Sequence, residues 1–145
     1  METKVMKRHI DELLGFPVQL SNVTFVKVRG EWLPKINYQR LDLQVAKVLC
    51  HLHRPLRGAE LRFVRLFLGL TQASLAERFG VSHVAVHKWE RRRAKPSGMP
   101  WPTEKDLRLM IQSHLSDDPV AVGRLYGELK ERPEPEAKDP ACLKI

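Results

Sequence analysis

Between Thr71 and Lys95 the chain gathers side chains that suit contact with a nucleic acid. A lysine can donate to guanine O6 and N7, a histidine ring can donate to an acceptor or stack on a base edge, and a valine methyl can meet the thymine methyl. Lys88, His83 and Val84 offer these three chemistries within six positions, with His87 beside them. Lys88, Arg91, Arg92, Arg93 and Lys95 then fall within eight positions, opposed locally by Glu90 alone. A charge run is ordinarily a solvated face. Directly after a helix that carries base-reading groups, it reads better as a clamp on phosphates. The candidate DNA-binding set is Thr71, Gln72, Ser82, His83, Val84, His87, Lys88, Arg91, Arg92, Arg93 and Lys95.

Those groups need elements to hold them, and residues 71–90 read as two short helices joined by a tight turn. Thr71 can cap the first helix with its hydroxyl, and Ser82 is placed to cap the second. Ala76 is small enough to let the two helices cross closely. Gly80 follows the first helix where the backbone tends to turn left-handed and a Cβ is costly. Leu75, Phe79, Val81, Val86 and Trp89 supply the apolar seam. With Val86 and Trp89 turned inward, Ser82, His83, Val84, His87 and Lys88 are left outward. The second helix is then free to enter a major groove.

The segment of residues 58–115 resembles the Cro and phage-repressor family of helix-turn-helix domains. Gln72, Ala76, Gly80, Val81, Val86 and Trp89 stand where that family's motif has its defining positions. The resemblance implies one further helix before the motif, whose buried face is Leu61, Val64 and Leu68, ended by Gly69-Leu70. It implies base reading by His83, Val84 and Lys88. It also implies that Gln72 touches a backbone phosphate and braces the second helix. A cation of the preceding helix pairs with an acid at the end of the reading helix in that family; the matching residues are Arg65 and Glu90, a pair expected to hold helices together and to read nothing.

Composition agrees with a polyanion as partner. The chain has 145 residues, a net charge of +8 and 43% hydrophobic residues, so it can bury a core while favouring DNA, RNA or an anionic surface. Cys50 and Cys142 lie far apart in unlike surroundings, which argues against a disulfide and for a reducing compartment. No apolar run reaches the roughly 18 residues of a membrane span. The N-terminus lacks the apolar stretch of a signal peptide. A soluble, cytoplasmic protein is expected, with no membrane partner.

The fold expected is mainly α: a bundle of about five helices containing the helix-turn-helix, behind a small hairpin-plus-helix module. Three segments follow: residues 1–57, the N-terminal module for a dimer or partner contact; residues 58–131, the DNA-binding domain; and residues 132–145, a disordered tail rich in proline and charge. In the first, Val23–Val28 and Glu31–Ile36 are strands about an Arg29-Gly30 turn, with Pro34 marking an edge. Residues 40–53 are an amphipathic helix on Leu41, Val45, Val48, Leu49 and Leu52. A hairpin is marginal alone and must pack on that helix, on the second domain or on a partner subunit, and a subunit or toxin contact is the favoured expectation. Later in the chain, Thr103 is expected to cap a helix over Glu104–Leu115. Asp117-Asp118-Pro119 starts another, with the stripe Val122, Leu125, Tyr126 and Leu129 as core or dimer seam.

The overall layout, with Gly15-Phe16-Pro17-Val18 before the hairpin, is similar to antitoxins in which a zinc-binding module of the YgiT type precedes a helix-turn-helix. That family carries two CxxC pairs around its hairpin. This chain has no cysteine before Cys50, so the module is expected without its metal. Cys50, His51 and His53 match no common structural zinc spacing, and a buried thiol with surface histidines describes them better. Ser97, Ser113 and His114 suggest no catalytic arrangement, and no glycine-rich phosphate loop is present. No enzyme activity, metal or cofactor is expected.

The function expected is a sequence-specific transcriptional regulator that binds double-stranded DNA as a homodimer on a palindromic operator, an autorepressor of antitoxin type. Two alternatives remain. The chain could chiefly neutralise a cognate toxin through residues 1–57, or it could tether another machine to DNA without regulating. RNA suits the motif less well, because its geometry fits a B-form groove.

Overall fold

The computed structural model describes residues 1–131, 133 and 142–145. In chain order the elements are β1 (Thr3–Asp11), β2 (Val18–Val28), β3 (Glu31–Pro34), α1 (Tyr38–Cys50), α2 (Gly58–Phe67), α3 (Gln72–Phe79), α4 (His83–Glu90), α5 (Trp101–Leu115), α6 (Pro119–Glu128) and β4 (Leu143–Lys144). The mainly helical plan is the one expected, five helices following a sheet and a first helix.

The sheet is larger than a two-stranded hairpin. Arg29 (φ 52°) and Gly30 (φ 82°) make the two-residue left-handed turn that matches strand twist, so β2 and β3 pair as expected, Val28 opposite Glu31 and Phe25 opposite Pro34. β1, which the sequence does not announce, pairs antiparallel along β2 from Thr3 opposite Val26 to Asp11 opposite Val18. Its apolar residues, Val5, Met6 and Ile10, all stay exposed, so no buried face imposes an alternating pattern on it. β4 joins β2 in parallel, Val18 opposite Leu143. This corrects the expectation of a disordered tail at its last residues: Leu143 is buried and belongs to the core cluster. The rest of that expectation, for residues 132 and 134–141, lies outside the described residues.

One buried cluster runs through the molecule. Phe16, Val18, Leu20 and Val23 of the sheet segment join Leu41, Val45 and Leu49 of α1, Leu61 and Val64 of α2, and Leu107 and Ile111 of α5. Each such aliphatic side chain contributes about 1.5–3 kcal/mol by leaving water. Phe16 meets Phe63 edge to face at 5.7 Å, joining the β1–β2 loop to α2. Buried Asp11 accepts from the Tyr38 hydroxyl at 2.7 Å and from the Leu13 amide at 3.0 Å, which ties the same loop to α1. The core side of the sheet is therefore packed within the chain, on α1 and the helices after it, rather than on the partner that the sequence reading favours.

Two helix starts differ in kind. α6 begins as expected, with the Asp118 carboxylate accepting from the Val120 amide at 3.0 Å and Pro119 first in the helix. α5 begins three residues before Glu104, with Pro100 at its cap position, and Thr103 sits inside the first turn rather than capping it. Pro102 needs no amide partner there, so the helix extends upstream of the threonine. The α6 stripe also divides: Leu125 and Leu129 are buried, while Tyr126 is 54% exposed beneath the Lys105 ammonium, 4.4 Å from its ring.

The link between α1 and α2 is held by buried charge. Glu60 accepts from both terminal Arg54 guanidinium nitrogens, at 2.6 and 2.7 Å, and from the Arg57 amide at 2.8 Å. Glu104 accepts from the Leu56 amide at 3.0 Å and from Arg108 at 2.8 Å, while Arg108, fully buried, reaches the Leu52 carbonyl at 2.7 Å and the Arg54 carbonyl. Removing one member of such a set strands its partner's charge, at about 3–5 kcal/mol. Among the described residues no helix is long and apolar enough to cross a membrane.

Candidate nucleic-acid interface

α3 and α4 are short, and local hydrogen bonds set their ends. The Thr71 hydroxyl accepts from the Ser74 amide at 3.0 Å, and the Ser74 hydroxyl accepts from the Thr71 amide at 2.8 Å, a reciprocal cap. At the other end Gly80 is left-handed (φ 68°), and the Val81 amide donates to the Ala76 carbonyl at 3.0 Å. Ser82 then caps α4, accepting from the Ala85 amide at 3.2 Å. Leu75, Ala76 and Val86 are buried where the two helices cross.

α4 is clamped from behind. Arg65 donates Nε to Glu90 Oε2 at 2.7 Å and a second nitrogen to Oε1 at 3.1 Å, while its third reaches the Leu70 carbonyl at 2.9 Å. Both partners are buried, so the pair is structural, as expected. The Gln72 amide nitrogen donates to the same Glu90 Oε1 at 3.2 Å and lies 3.5 Å from His87 Nδ1. Gln72 thus sits against α4, in the bracing position.

What this leaves outward is a row of polar and apolar groups on one face of α4: His83, Val84, His87 and Lys88 are all exposed. This is two turns of helix with Glu90 at its end pinned and its outer face exposed, joined by a glycine turn to a capped helix that crosses it. Residues 61–99 match the helix-turn-helix family model. Across that span the two short helices and their glycine turn form a helix-turn-helix. The chain is also 33% identical over 86 residues to the HTH-type transcriptional regulator DicA of Escherichia coli (strain K12). That likeness covers 59% of this chain and 57% of the relative, so the match spans little more than half of either. No solved structure matches the chain.

Behind the helix-turn-helix the cations are positioned by the start of α2. The Gly58 and Ala59 amides, which α2 cannot satisfy internally, donate to the Lys95 carbonyl at 3.1 Å and the Arg93 carbonyl at 3.0 Å. The approach is close enough that a Cβ on Gly58 would lie 2.6 Å from both the Arg93 nitrogen and the Trp89 oxygen. Arg91, Arg92, Arg93 and Lys95 are exposed on this docked turn.

The predicted residues divide into two groups in space. Gln72, His87, Arg91 and Arg93 line one cleft of about 470 Å³, whose far wall is Leu14-Gly15 of the β1–β2 loop. His83, Val84, Lys88, Arg92 and Lys95 lie outside it, and the Arg92 guanidinium rests beside Gly98. Thr71 and Ser82 are exposed with their hydroxyls engaged in caps. Arg62, exposed on α2, also lines the cleft, and the sequence reading passed over it. The available signal was its position three residues after Ala59, but its relation to Arg91 and Arg93 depends on how the turn docks. Elsewhere, burial pushes the Cys50 thiol up to about 12, and His51 pairs instead with Glu128 at 3.0 Å.

Proposed function

We propose that this protein is a DNA-binding transcriptional regulator that reads its site by laying α4 in a major groove. The observation that carries this is the outward face of α4, His83, Val84, His87 and Lys88 exposed together while Arg65, Glu90 and Gln72 hold the helix from behind. The likeness to a relative named as a transcriptional regulator supports it. Lys88, His83 and Val84 supply the base contacts, and Arg91, Arg92, Arg93 and Lys95 supply phosphate contacts. Thr71, Gln72 and Ser82 border the same face.

The finer reading is an autorepressor that binds a palindromic operator as a homodimer, with half-sites about one helical turn apart or a multiple of that. Residues 1–57 then serve protein contact, with a second copy or, in an antitoxin-like role, with a cognate toxin. β1 as an edge strand with exposed Val5, Met6 and Ile10 supports that use.

The test is binding to labelled duplex from upstream of the protein's own gene, beside a scrambled duplex, at two salt concentrations. A preference for the native duplex that survives the higher salt is the expected result. Equal and strongly salt-sensitive binding to both would sink the autorepressor reading and leave a DNA-tethering or partner-binding role.

A further inference from the structure

We infer that Arg62, acting with Arg91 and Arg93, forms a seat for one backbone phosphate of bound duplex DNA, beside the groove that receives α4. The inference rests on the DNA-binding reading above and adds to it a residue that lies outside the two motif helices.

Three arginines line one cleft from two separate segments, Arg62 from α2 and Arg91 and Arg93 from the turn after α4. Their spacing is built in, because the first amides of α2 hold the carbonyls of Arg93 and Lys95. Among the described residues the cleft has a single carboxylate on its wall, Glu90, and that group is 6% exposed and bonded twice to Arg65. The opening is therefore cationic with its one acid already neutralised. Its other wall, Leu14-Gly15, brings no counter-charge, and low-polarity walls strengthen the pull on an anion. Guanidinium forks match two phosphate oxygens at once. Gln72 and His87 connect this wall to the outer face of α4, so a duplex whose bases meet Lys88 and His83 carries its backbone past Arg62. Free inorganic phosphate has the same chemistry, and the test separates the two sources.

The test compares the full-length protein with R62A, R62Q, R62K and K47A, the last removing one cation from a different cleft between α1, α5 and α6. Binding to native and scrambled duplexes is measured by fluorescence anisotropy from about 50 to 200 mM salt. Expected is a slope of log affinity against log salt shallower by about 0.9 in R62A and R62Q, equal on both duplexes, recovered in R62K and unmoved in K47A. An unchanged slope in R62A overturns the inference, as does an equal change in K47A, which would reflect net charge alone. Calorimetry with inorganic phosphate supplies the other arm: if R62A weakens phosphate binding yet leaves the DNA slope intact, the cleft takes a free anion and the inference fails. Should Lys88→Ala weaken operator binding while R62A does nothing, the seat falls and the DNA reading stands. A wild-type protein that binds no duplex removes both.

Discussion

Lys88 and Arg92 are both exposed cations, four residues apart, yet they are placed for different work. Lys88 is on the outer face of α4 and Arg92 on the turn behind it, against Gly98. Lys88→Ala is expected to cost about 1–3 kcal/mol on the preferred site and to relax base choice at one position, checked by competition with single-base operator variants. Equal weakening on random DNA would remove Lys88 from direct readout. Arg92→Ala is expected to weaken all duplexes alike and flatten the salt dependence, read from binding isotherms across a salt series. The Arg65–Glu90 pair was legible from the family's pattern, because it joins two positions of one motif. Arg62 was not, since an exposed arginine on a helix has no local mark that tells which surface another segment brings to it.

Among the elements, the turn that carries the cations depends on a glycine in a different helix. Gly58 lets the backbone of residues 89–93 come within reach of the α2 amides, where a Cβ would meet three backbone atoms at 2.6–2.7 Å. Gly58→Ala is therefore expected to lose about 1–3 kcal/mol of stability, by denaturant titration, and to weaken DNA binding at low salt as Arg91 and Arg93 shift. Unchanged stability and affinity would show that the turn relaxes freely. Gly80 was legible because its role is local, the end of one helix. Gly58 read only as punctuation, since the atoms it makes room for lie about thirty residues away. β1 and β4 were missed for the same reason: their strand character comes from β2 alongside, and Thr103 was misplaced because Pro102 let α5 start earlier.

For the molecule as a whole, the buried cluster and the charge set around Arg54, Glu60, Glu104 and Arg108 tie sheet, linker and helices together. Its titration has a definite sign on the alkaline side. Burial raises the Cys50 thiol from 9.0 to about 12, and burial with the Asp11 hydrogen bond raises Tyr38 from 10.0 to about 12. Well below pH 9 both protons are held in the folded and unfolded chain alike. Above it the unfolded chain releases them first, so stability is expected to fall as pH rises toward about 12. Chemical denaturation across that range checks it, and Cys50→Ala is expected to delay the onset of the decline; an identical profile in the variant would exclude the thiol. The sequence by itself determined the helix-turn-helix, its caps and its outward residues, because each rests on contacts between neighbours in the chain or on a spacing that helical geometry imposes; the Arg65–Glu90 clamp was legible only through the family resemblance. Only the tertiary structure decided the added strands, the cover of the sheet and the arginine cleft. Those depend on segments distant in sequence meeting through a common core, and no local period or residue type encodes which surface a distant segment will face.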